Sequence, residues 1–347
     1  MTLTPPVALE ARPGVELLAE ARRLVGPGLR AWGERLPGLA HLWTGYHLGW
    51  LDTQGQPAEA AVGKAARPAL AVSSARAAGG SGQEAVSAAV AVELVHAFSL
   101  VHDDIIDGDA LRRHRLTVWK AFGVPAAVLA GDVLLALAHQ VLADTPGHAP
   151  DRAVSWLSQA VIELVEGEAR DVSFETRSDV TQAEYTAMAT GKTGALMGCA
   201  CALGAMAAGA GEVRAAHLAD FGRHLGVAFQ LADDLLGIFG TPEVTGKPVG
   251  GDLAARKKTF PVLAALSSAA PAARQLAALY AAPASPTQEQ VRQATAWVAE
   301  AGGRVATQRA AEEELDLAFA ALVEADPVPA AMRELTTLAQ LFIHRVS

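Results

Sequence analysis

The chain has 347 residues, 51% of them apolar and only 5% aromatic, with a formal charge of −9. That length and apolar content allow a sizeable core and exclude a disordered chain, and apolar content made mostly of Ala, Leu and Val predicts an all-α fold. The acidic balance, with a pI near 5.6, excludes nucleic-acid binding by bulk charge, so an anionic ligand needs a local cluster of cations.

The opening "MTLTPPVALEARPG" has no basic run followed by a long apolar core. A cytoplasmic location is therefore expected, with residues 1–12 as a loose tail. Helix-period apolar spacing, bounded by Gly, Pro or capping residues, then predicts helices over Gly14–Arg35, Ala85–Arg113, Pro125–Ala143 and Asp151–Phe174. Further helices are predicted over Thr181–Ala208, Glu212–Phe239, Pro261–Ala281, Thr287–Ala301 and Val305–Ala325. Within the fifth, "TGALMGCACALGAMAAGAG" (Thr193–Gly211) has the length of a membrane span but is built from Ala and Gly, so it reads as a buried helix and no membrane span is expected. Cys199 and Cys201 have no disulfide or zinc spacing and read as core thiols. Gly240–Pro261 is rich in Gly and Pro and carries Lys247, Lys257 and Lys258. In "SPTQEQV", Ser285 with Gln288 predicts a capping box. No solenoid repeat or composition break divides the chain, so one domain over 1–347 is expected.

The chemistry concentrates in "SLVHDDIIDGDALRRHR" (Ser99–Arg115). On a helix Asp103 and Asp107 lie at i and i+4 and share a face, while Asp104 lies about 100° round the axis. Two like charges on one face call for a cation, and a hard divalent ion with oxygen ligands suits them. Magnesium takes one or two carboxylates and completes its shell with substrate phosphates, so the pair implies a phosphorylated ligand. A second pair, Asp233 and Asp234, lies in the apolar "FQLADDLLGIFG". Either pair alone is explained by a charged helix end; two pairs on separate helices can face one another across a bundle. Lys64, Arg67, Arg112, Arg113, Lys192, Lys247 and Lys257 each sit beside a loop signal or at the end of an apolar segment, where they can converge on one cavity mouth. An EF-hand fails on spacing, because Ile105 occupies its third position. His96 and His102 lack a second cluster at zinc-ligand spacing.

With these residues in place, the chain resembles the trans-isoprenyl diphosphate synthase (polyprenyl synthetase) family. The resemblance runs in order through "GKAARP" (63–68), "DDIID" (103–107) with "LRRHR", "GD" (131–132), "GKTG" (191–194), "FQLADD" (229–234), "TGKPVGGDL" (245–253) and "KKTFP" (257–261). It implies a helical bundle around a central cavity and magnesium-dependent condensation of isopentenyl diphosphate with an allylic diphosphate. It further implies three magnesium ions, with Asp103, Asp107 and Asp233 as ligands and Asp104 as a supporting carboxylate. By the same resemblance Arg112, Lys192, Lys247 and Lys257 hold the allylic diphosphate. Lys64, Arg67, His96 and Arg113 hold that of isopentenyl diphosphate, with Arg345 a weaker candidate. Thr193 and Gln230 line the reacting carbons, and a homodimer is expected.

Three departures stand out. Gly237 replaces the third aspartate of the second motif, His114 and Leu116 replace a Gly and a Pro after the paired arginines, and Val62 precedes "GK" where a Gly is common. Phe98 and Ser99, five and four residues before Asp103, form the expected floor for the growing chain. This pattern resembles synthases of the twenty-carbon geranylgeranyl diphosphate, with farnesyl diphosphate next. A terpene cyclase of the same fold and a non-catalytic partner subunit are the alternatives. The cyclase has no use for Lys64, Arg67 and Arg113, and the partner subunit no use for both acidic pairs.

Overall fold

Val86–Ile106 is apolar almost all round its axis, and a helix of that kind is stable only when other helices surround it. The computed structural model, which describes residues 12–60, 63–145, 150–240 and 250–343, surrounds it. The first four helices are α1 (Gly14–Gly33), α2 (Gly38–His47), α3 (Ala66–Ala77) and α4 (Val86–Ile106). After a small hairpin come α5 (Val118–Phe122), α6 (Val124–Ala143), α7 (Pro150–Thr176), α8 (Gln182–Ala189), α9 (Ala195–Ala207) and α10 (Glu212–Phe239). The chain closes with α11 (Gly251–Ala254), α12 (Phe260–Leu266), α13 (Pro271–Ala281), α14 (Gln288–Glu300), α15 (Gly303–Glu324) and α16 (Pro329–Ile343).

The main core joins α3, α4, α6, α9 and α10 through fully buried Leu70, Leu94, Leu134, Leu196, Leu218 and Phe221. Each such side chain contributes roughly 1.5–3 kcal/mol relative to exposure. Buried α9 accounts for the Ala- and Gly-rich stretch, since a Cβ on Gly204 would lie 2.1 Å from the Ala71 carbonyl of α3. Among the described residues two helical segments, Gln83–Ile106 and Val124–Ala143, are long and apolar enough to cross a membrane, and 61% and 50% of their apolar windows are buried within the bundle.

The structure corrects several expectations. α4 stops at Ile106, well short of Arg113. Gly108 takes φ +69°, and Leu111–Arg112 pairs antiparallel with Arg115–Leu116 (β1 and β2). The two loop residues, Arg113 and His114, both have positive φ (52° and 63°), as the tight hairpin turn requires. The helix expected over Thr181–Ala208 is interrupted by a π-helical turn at Thr190–Gly194. That expected over Pro261–Ala281 divides into α12 and α13, whose axes bend by 119°. The capping box lies at Thr287 and Gln290, two residues beyond Ser285. α2, α3, α5, α11 and α16 were not anticipated. Most of the α3 sequence ARPALAVSSARA is buried, so no apolar stripe marks it. Residues 1–11 lie outside the described residues, but Arg12 is no loose end: it pairs with Glu20 at 2.8 Å and Glu334 at 3.0 Å, fastening α1 to α16.

Candidate active site

The helical rotation between neighbours separates the acids of the first motif. Asp104 is buried, and its Oδ1 accepts from Nε and Nη2 of Arg112, each at 2.8 Å. Asp103 is half-buried, and Asp107 is exposed at the C-terminus of α4. Burial, then the charge of Glu168 on α7, pushes the Asp103 carboxyl up to about 7, against the pull of Lys192. Arg112 is brought back toward Asp104 by the hairpin, and the next residue, Arg113, faces a different cluster.

The second motif divides in the same way. Asp234 is 4% exposed and accepts from the Tyr185 hydroxyl at 2.5 Å, the Phe260 amide at 2.9 Å and Gln230 Nε2 at 3.2 Å. Its carboxyl is nonetheless pushed up by burial to about 7. Gln230 in turn accepts from the Thr193 hydroxyl at 2.9 Å, so Thr193, Gln230 and Asp234 form one chain of dipoles between the π turn and α10. Asp233 is exposed on the other side of α10, where its charge reaches Arg67.

Lys192 sits in the π turn and places Nζ 2.6 Å from Glu168 and 2.5 Å from Asp171. Burial opposes its charge, but the two carboxylates outweigh burial and hold the ammonium above its ordinary value. Lys257 lies 3.8 Å from Asp107, while Lys258 donates to the carbonyls of Phe174 and Glu175 and so ties its loop to α7. Asp107, Glu168, Asp171, Asp252 and Lys257 line one open cavity of about 1240 Å³. Lys247 and Arg345 fall outside the described residues.

A second, smaller cavity of about 100 Å³ is lined by Arg22, His47, Glu93, His96 and Arg113 with apolar neighbours. Burial, then Arg67 and Arg113, holds His96 well below its ordinary value, and burial with Arg113, Arg112 and Arg115 pushes His47 down to about 3. Both rings are therefore neutral beside a concentration of guanidinium charge, a setting that suits an anion. Lys64 is exposed just ahead of α3. Phe98 is 7% exposed and stacks edge-on against His102, one turn along α4, at 4.9 Å. The Ser99 hydroxyl turns back to the His96 carbonyl at 3.0 Å.

Sequence reading missed Glu168, Asp171, Glu93, Arg22 and His47. The first two are at i, i+3 on α7, in "EGEARD", a spacing that shares a helix face but is too common to single out. A divalent cation fits the acidic side of the site. Asp103 is pushed up by burial and then by the charges of Glu168 and Asp107, and the buried Oδ2 of Asp104 has no hydrogen-bond partner. Among the described residues no three acidic groups close on a single point. That suits an ion held by one or two carboxylates and by phosphate oxygens of a substrate.

Comparison with known proteins agrees with this geometry. The family model described as polyprenyl synthetase matches residues 50–298. A geranylgeranyl diphosphate synthase of Mycobacterium tuberculosis is 46% identical over 96% of this chain and 94% of its own. A (2E,6E)-farnesyl diphosphate synthase of the same organism is 48% identical over 76% of this chain and 73% of its own. The crystal structure of a polyprenyl synthetase from Streptomyces coelicolor superposes with a TM-score of 0.91 at 43% identity, covering 94% of this chain and 99% of that one. The chain thus belongs to the polyprenyl synthetase family and is a prenyltransferase of the short-chain prenyl diphosphate synthase kind.

Proposed function

We propose that the protein is a magnesium-dependent synthase of geranylgeranyl diphosphate, acting as one helical domain and as a homodimer. The carrying observation is the presence of two separate cavities, the larger lined by Asp107, Glu168, Asp171 and Lys257 and the smaller by Arg22, Arg113 and His96. One is acidic and accompanied by lysines, and the other is rich in guanidinium. Two substrates with the same diphosphate group need two such sites.

In this reading Asp103 on α4, Asp107 at its C-cap and Asp233 on α10 would hold up to three magnesium ions, which would supply positive charge against the departing diphosphate. Arg112, Lys192, Lys257 and Lys247 hold the allylic diphosphate. Arg67, Arg113, Lys64 and neutral His96 hold isopentenyl diphosphate with its double bond toward the allylic carbon. The dipoles of Thr193 and Gln230 face the allylic cation as the carbon–oxygen bond breaks. The double bond attacks that cation, a carbon–carbon bond forms, and a proton is lost to the departing diphosphate. No protein nucleophile takes part, and the apolar bundle excludes water from the cation. Asp104 orients Arg112, and Asp234 orients Gln230.

Incubating the protein with magnesium, isopentenyl diphosphate and each of the five-, ten- and fifteen-carbon allylic diphosphates tests the reading. The expected product from all three is the twenty-carbon diphosphate. Accumulation of the fifteen-carbon product would favour the farnesyl alternative, in keeping with the 48% identical relative. A cyclic hydrocarbon, or no condensation with any primer, would overturn the proposal.

A further inference from the structure

The hairpin that carries Arg112 and Arg113 has little of its own to hold its shape. Its strands are two residues each, too short to be stable alone, and its apolar cross-strand pair, Leu111 and Leu116, is 62% and 45% exposed. The turn places Arg113 and His114 in the left-handed region, which costs free energy for a residue with a Cβ, and His114 stands in place of a Gly among the departures from the family pattern. On the half-buried face Arg112 and Arg115 oppose one another across the strands, a like-charge pair that repels unless each guanidinium is held elsewhere. Asp104 holds Arg112.

The end of α2 holds Arg115. Its Nη1 donates to the Tyr46 carbonyl at 3.2 Å and its Nη2 to the Leu51 carbonyl at 2.9 Å, while the guanidinium lies 4.3 Å over the Tyr46 ring. Carbonyls at a helix C-terminus favour a cationic donor. In the other direction the Tyr46 hydroxyl donates to the Leu116 carbonyl at 2.8 Å, and Tyr46 is itself fixed by burial, edge-on to Phe122 at 5.1 Å. The loop that begins at Leu51 is kept in shape by Asp52, whose Oδ1 accepts from the amides of Gln54 and Gln56. Tyr46 and Arg115 thus clasp the returning strand to α2. The base of the hairpin is closed separately, by Thr117 Oγ1 and Trp119 Nε1, which both donate to the Asp109 carbonyl at 2.8 Å.

We infer that Arg115, with Tyr46, is a positioning residue for the substrates: the clasp holds the strained turn against α2 and so sets where Arg112 and Arg113 meet the two diphosphates. This rests on the proposed assignment of those arginines to the allylic and isopentenyl diphosphates. Arg115 acts through its neighbours, because its own fork is occupied by two carbonyls.

Steady-state rates with each substrate varied in turn test the inference. Arg115→Ala is expected to raise the Michaelis constants for both diphosphates by about tenfold or more, with a smaller change in kcat. A role confined to stability would lower the thermal midpoint and leave both constants at the parent's values, and that result would overturn the inference. Adding His114→Gly to Arg115→Ala is expected to recover part of the loss, because glycine enters the left-handed turn without strain and needs less to hold it. A folded double variant no better than Arg115→Ala would make Arg115 a direct contact of substrate and would equally overturn it. Tyr46→Phe keeps the ring and removes one hydrogen bond, and is expected to raise the same constants by about threefold. Should Arg115→Ala not fold, Tyr46→Phe decides, with unchanged constants counting against the inference. An Arg113→Ala protein with the parent's Michaelis constant for isopentenyl diphosphate would instead sink the assignment of the arginines, so the two failures are distinguishable.

Discussion

Asp103 and Asp104 follow one another on α4, so their side chains diverge by about 100°, and that rotation alone assigns them different surroundings. Asp103 meets Glu168 and Lys192 across the cavity, while Asp104 is buried against Arg112. Asp233 and Asp234 repeat the division on α10, the buried one fixed by Tyr185, Phe260 and Gln230. In each doubled aspartate one carboxylate is thus left accessible and the other is built into the scaffold. Phe98 is the residue on which product length turns in the proposed reading. Phe98→Ala should lengthen the main product by at least one five-carbon unit, read by chromatography of the dephosphorylated products. It should also cost about 3–5 kcal/mol of stability through the cavity it leaves. An unchanged product distribution in a folded variant would place the floor elsewhere.

Among elements, the π turn at Thr190–Gly194 and α7 act as one unit. Lys192 reaches Glu168 and Asp171 only because α7 passes very close, and Gly167 is what allows it: a Cβ there would lie 2.2 Å from the Lys192 amide nitrogen. Gly167→Ala should therefore lower stability by about 1–3 kcal/mol through overpacking and reduce kcat along with it, by moving the Lys192 backbone. Gly26→Ala is the control, since nothing lies within 4 Å of a Cβ there, and the better helix propensity of Ala should leave stability equal or up to about 1 kcal/mol higher. Thermal midpoints and steady-state rates of the two variants check both statements. The hairpin of β1 and β2 is the other element with functional weight. By turning the chain between Arg112 and Arg113 it leaves Arg112 paired with Asp104 and places Arg113 in the lining of the smaller cavity.

At the scale of the molecule, five of the exposed apolar residues fall on two helices that pack together. Val124 and Val128 lie at i, i+4 on α6 with Leu129 beside them. Ile162 and Val165 lie at i, i+3 on α7, which packs against α6. Leu129 is 52% and Ile162 63% exposed, and grouped apolar exposure of this kind marks an interaction surface. The proposed homodimer would cover it. The parent protein is expected to sediment as a dimer and the Leu129→Glu, Ile162→Glu double variant as a monomer. A parent that sediments as a monomer would remove the dimer from the proposal.

What the amino-acid order determined by itself was local and periodic. The helical class, the burial of Thr193–Met206 within the stretch expected to be buried as far as Gly211, the i, i+4 geometry of Asp103 and Asp107, and the cations beside loop signals all follow from relations within a few residues, which helix geometry converts directly into space. α3 escaped because burial on nearly all sides erases the stripe by which a helix is read, and the hairpin because two-residue strands are too short to alternate. Tertiary structure alone decided which separate segments meet. Glu168 and Asp171 converge on Lys192, Glu93 lies beside Arg113, and the Asp252 carboxylate settles on Gly237. These contacts depend on how closely helices distant in sequence can approach, and that distance is set by the packing of side chains, or by their absence, at both surfaces at once.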